Sequence, residues 1–64
     1  MTEQKKAVLY WTNQYNMALK ARNGAEARLK AEPKNPWYIT ELKAREERLA
    51  ECEGKLLKAR RAIA

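Results

Sequence analysis

Apolar residues recur along almost the whole chain at alternating steps of three and four, and the repeat is interrupted once, at Glu32-Pro33-Lys34-Asn35-Pro36. Steps of three and four keep one side of a helix turned toward a neighbour along its full length. The sequence therefore predicts an all-α fold made of a helix over about 3–31, a turn at 32–35 and a second helix over about 36–62, in a single domain. Pro33 biases Glu32 away from helical geometry and closes the first helix. Asn35 is a preferred N-cap and Pro36 suits the first helical position, so the second helix starts there. Thr2 is placed to cap the first helix, with Glu3 near the positive end of its dipole. Asn23-Gly24 is a turn signal inside the first helix. The apolar repeat passes through it without a change of phase, which favours an unbroken helix.

With Val8 as the first seam position, helix one reads Val8, Trp11, Tyr15, Ala18, Arg22, Ala25 and Leu29. Helix two reads Tyr38, Leu42, Arg45, Leu49, Cys52, Leu56, Ala59 and Ile63. A four-residue turn forces the helices antiparallel. If Leu29 meets Tyr38, the further layers are Ala25/Leu42, Arg22/Arg45, Ala18/Leu49, Tyr15/Cys52, Trp11/Leu56, Val8/Ala59 and Gln4/Ile63. Most of them set a large side chain against a small one, as interdigitating side chains require. Cys52 reads as a buried thiol acting as a small apolar group.

Such a coiled-coil-like hairpin would be a rod roughly 42 Å long and two helices thick. Domains of about 60 residues bury only about 60% of their unfolded surface and commonly lean on disulfides, metal or a partner. One Cys and no His leave only the partner. Association is accordingly expected, through Ile39, Ala50 and Leu57 beside the seam of helix two, with Thr12 and Leu19 on one flank of helix one and Tyr10 and Met17 on the other. These tracks suit either a homodimeric four-helix bundle or a foreign protein.

The same counts argue against an enzyme, because a His/Cys zinc site and a Ser/His or Cys/His nucleophile pair both need groups that are missing. No cofactor and no metal are expected. No apolar run approaches the ~18 residues of a membrane span, and no signal-peptide core is evident, so a cytoplasmic protein without a membrane partner is expected. The net charge of +6, from 14 Lys and Arg against 8 Asp and Glu, is mostly interleaved. Only Lys55, Lys58, Arg60 and Arg61 cluster, where they match the carboxyl end of a helix dipole. Nucleic-acid contact through Lys58, Arg60 and Arg61, or an acidic protein partner there, is the minor alternative to a solvated face.

Three further positions carry two readings each. Arg22 and Arg45 either pack their stems across the seam with heads reaching Glu26, Glu41 or Glu46, or form a site for a partner's carboxylate or a phosphate. Trp37 points roughly 100° away from the seam that Tyr38 and Leu42 share. It either docks a partner from the tip, beside Tyr38, or packs on the Pro33–Pro36 turn. Tyr10 and Met17 serve either dimer core or recognition.

In format the chain is similar to the plasmid repressor-of-primer proteins, dimeric four-helix bundles that bind RNA, which it also resembles in its opening Met1-Thr2-Glu3-Gln4-Lys5. It further resembles small bacteriophage helical hairpins of the quorum-sensing anti-activator type, which act on a LuxR-type receptor and a pilus assembly ATPase; the hairpin format and the tip aromatics Trp37 and Tyr38 carry that resemblance. Type III secretion co-chaperones share the hairpin. The phage resemblance implies a small homodimeric inhibitor or adaptor, acting in the host cytoplasm on a host regulatory protein such as a transcriptional regulator. The plasmid resemblance implies RNA binding.

Overall fold

A computed structural model describes residues 2–63. It consists of two helices, α1 (Glu3–Ala31) and α2 (Pro36–Ile63), with no strand among the described residues. Thr2 takes an extended conformation and its Oγ1 accepts from the Lys5 N–H at 3.2 Å, satisfying one of the amides that an α-helix leaves open at its start. At the other end the Glu32 N–H returns to the Arg28 carbonyl at 3.1 Å. The Asn35 N–H then donates to the Glu32 carbonyl at 3.0 Å, which closes the turn. The Asn35 carbonyl accepts from the N–H groups of Tyr38 and Ile39, and α2 is under way.

α1 runs unbroken through Asn23-Gly24, and no residue among those described has positive φ. Helical geometry is open to glycine as to any residue, and the continuous apolar face on either side outweighs the loss of about 1 kcal/mol relative to alanine. Gly54 lies on the outer side of α2, where an added Cβ would meet nothing within 4 Å.

The helices pack side by side along a rod whose Cα atoms extend 47 × 14 × 13 Å. Ala18, Ala25, Cys52 and Leu56 are its buried residues, all on the expected seam. Val8, Trp11, Tyr15, Leu29, Tyr38, Leu42, Leu49 and Ala59 are half-buried around them. The small members lie deepest: Ala25 and Cys52 are fully enclosed, whereas Leu42 and Leu49 retain an exposed edge. A two-helix rod has only one surface of contact, so a long side chain there covers its small neighbour and leaves its own outer edge in water. At the open end the Gln4/Ile63 layer does not close, since both residues are exposed.

The antiparallel register is visible on both sides of the seam. Arg28 pairs with Glu41 and Arg22 with Glu46 across the two helices. Nearer the open end, Thr12 and Tyr15 line one groove together with Leu56 and Leu57.

Candidate partner-binding surfaces

The hairpin has three distinct surfaces that a partner can reach: the tip and the two long sides where α1 and α2 lie next to each other.

At the tip, the Asn35 side chain caps α2 by accepting from the Trp37 N–H at 2.9 Å. The cap holds the Trp37 backbone in the first turn of α2 while its side chain stands in solvent, 81% exposed. Packing of the indole on the Pro33–Pro36 turn, one of the two sequence readings, is not what the structure shows. The turn is too short to fold back over a ring that points away from the seam. Tyr38, one residue on, is half-buried at the tip end of the seam, as is Leu29. The two adjacent aromatics thus divide, one inward and one outward.

One long side is aliphatic. A groove there is lined by Leu19, Arg22, Glu46, Leu49, Ala50 and Glu53. It continues toward the open end in a second, lined by Thr12, Tyr15, Asn16, Glu53, Leu56, Leu57 and Arg60. The Thr12 hydroxyl donates to the Val8 carbonyl at 2.7 Å, so its polar group is satisfied inside the helix. Leu57 is 46% exposed beside this groove, and Leu9, 54% exposed, belongs to the same face by helical spacing from Thr12 and Asn16. Sequence reasoning missed Leu9 because it followed one seam per helix. The signal was present in a second stripe, Leu9, Thr12, Asn16 and Leu19, which repeats the steps of three and four.

The opposite side is built differently. Its groove is lined by Gln14, Met17, Ala18, Ala21, Arg45 and Arg48. Met17 and Tyr10 are exposed, and the Tyr10 ring meets Trp11 edge-on with centroids 5.0 Å apart at 81°. That arrangement is a favourable one for two aromatic quadrupoles, and it holds Tyr10 over the edge of the seam.

The two arginines do not form a shared layer. Arg22 lies on the aliphatic side, paired with Glu26 on its own helix and 3.8 Å from Glu46 across the seam. Arg45 is exposed and lines the opposite groove. The physical reason is mutual repulsion: two guanidinium groups that cannot lose their protons leave by opposite sides, and the acids of one side receive Arg22. Arg22 is thus engaged by acids of this chain, while Arg45 lines the opposite groove. Lys58, Arg60 and Arg61 are exposed in the last turns of α2 and make no ion pair among the described residues.

Among the described residues no group of three or more His, Cys, Asp or Glu is placed to hold a metal, and no helix is long and apolar enough to cross a membrane. No family model, curated protein or solved structure matches the chain.

Proposed function

We propose that this protein is a non-enzymatic, homodimeric protein-interaction module that acts as an inhibitor or adaptor by docking its tip onto another protein. The observation that carries this reading is Trp37, 81% exposed on a backbone fixed by the Asn35 cap. Trp and Tyr are the aromatic anchors most often found at binding hot spots, because they bring large contact area with few rotatable bonds. A capped helix start flanked by Pro36 limits the entropy lost on docking further. Nothing in the packing of the hairpin requires an indole at this position. The chain has no His, and its single Cys is fully enclosed, so the groups available for recognition are aromatic, aliphatic and charged surfaces.

The test is capture of a partner on the immobilised protein from nuclease-treated extract of the cells that make it, with Trp37→Ala as the paired bait. A protein retained by the wild type and lost with Trp37→Ala supports the reading. Capture that vanishes with nuclease and depends on Lys58, Arg60 and Arg61 instead would assign the protein to nucleic acid.

A further inference from the structure

We infer that the aliphatic side of the hairpin is the dimer face and that a second copy lies on it with both tips at the same end. This rests on the homodimeric reading above and names the surface and orientation it uses.

The hairpin exposes more surface than its mass accounts for. A compact monomer of 7.5 kDa exposes about 4,200 Å². The hairpin exposes 5044 Å². The excess of roughly 800 Å² equals what one partner contributes to an interface of standard size.

The two long sides also differ in composition. The aliphatic side offers Leu9, Leu19, Ala50 and Leu57, with the Thr12 hydroxyl satisfied internally. The charges that line its grooves are of both signs, Arg22 and Arg60 with Glu46 and Glu53. The other side lines its groove with charges of one sign only, Arg45 and Arg48, the latter paired with Glu51.

Charge register distinguishes the two orientations. With tips together, α1 of one subunit runs over α2 of the other in the same antiparallel register as inside the hairpin. Leu9 then falls over Leu57 of the partner subunit and Leu19 over Ala50 of the partner subunit. Glu26 comes beside Lys43 of the partner subunit. With tips opposed at full overlap, each α2 runs over the other α2. Glu53 then faces Glu46 of the partner subunit, twice by symmetry, and Lys43 sits over Leu57 of the partner subunit. The first arrangement sets apolar against apolar and acid beside base, whereas the second keeps only Ala50 against Ala50 of the partner subunit and stacks acid on acid and Lys43 on an apolar side chain.

Tips together has a consequence for binding, since both Trp37 side chains then project from one end of the bundle. The docking end is a pair of indoles contributed by two subunits, and a monomer presents half of it.

The experiment combines sedimentation equilibrium with a spin-label distance. A label is placed on Lys34→Cys in a Cys52→Ala background, whose helicity and sedimentation are first matched to the wild type. A label-to-label separation on the order of 20 Å, two or three helix spacings plus the label arms, is expected. A separation near the 47 Å length of the rod would overturn the tips-together orientation while leaving the dimer standing. Leu19→Lys and Leu57→Lys are expected to raise the dimer dissociation constant by about tenfold or more, with Met17→Lys changing it little. The reverse ranking would move the dimer to the Tyr10–Met17 side and overturn the assigned face. A wild-type protein that stays a folded monomer at all accessible concentrations would overturn the homodimeric reading itself.

Discussion

The Oδ1 atom of Asn35 accepts a hydrogen bond from the Trp37 N–H at 2.9 Å, and through it the start of α2 fixes the backbone of the most exposed large apolar side chain among the described residues. Helix capping and presentation of the indole are one piece of structure. Asn35→Ala is expected to cost about 1 kcal/mol of stability, the usual effect of losing an N-cap, and to weaken partner binding although Asn35 need not touch the partner. Denaturant unfolding and binding measured on the same variant check both halves; binding unchanged after a measured loss of the cap would separate them.

Removal of the indole behaves differently. Trp37→Ala is expected to leave stability within about 0.5 kcal/mol, because the ring is exposed and alanine keeps the N–H that Asn35 caps. Thermal melts followed by circular dichroism test this. A drop of several degrees would mean that the ring packs on the hairpin after all.

The seam gives a gradient of costs along α2. Leu56→Ala is expected to destabilise by about 2–5 kcal/mol, since Leu56 is 6% exposed and its loss opens a cavity near Tyr15. Ile63→Ala, at a position 46% exposed in a layer that does not close, is expected to cost less than about 1 kcal/mol. Equal costs at the two sites would be inconsistent with the described packing.

The glycines offer a gain. An added Cβ meets nothing within 4 Å at Gly54 and only Arg28 Nη1, at 3.8 Å, at Gly24. Gly54→Ala and Gly24→Ala should therefore each stabilise the helices by up to about 1 kcal/mol. A loss at Gly24 would indicate that Asn23-Gly24 needs freedom which the continuous helix does not show.

Most of the architecture was legible because a single physical rule governs it. The steps of three and four from Val8 to Leu29 and from Tyr38 to Ile63 define a face, and the short turn between two prolines fixes the direction. The caps at Thr2 and Asn35 follow from side chains that bond exposed amides better than most. What could not be read was where a long charged side chain goes once its Cα sits at the seam. Periodicity placed Arg22 and Arg45 in one layer. Repulsion between them, and the positions of Glu26 and Glu46, sent one to each side. Leu9 escaped notice for a related reason, in that a second stripe only gains meaning once α2 lies beside it and the two form one face. Trp37 could be placed off the seam from its position alone, but its exposure depended on how far the turn would fold back.

The most direct test of tip-mediated protein binding is the affinity of the captured partner for Trp37→Ala against a Lys58→Ala, Arg60→Ala, Arg61→Ala triple variant, each measured at low and high salt. The expected result is a loss of about thirtyfold or more for Trp37→Ala, equivalent to about 2 kcal/mol at a binding hot spot, with the triple variant close to wild type. A silent Trp37→Ala, together with a triple variant that binds weakly and has lost most of its salt dependence, would contradict it.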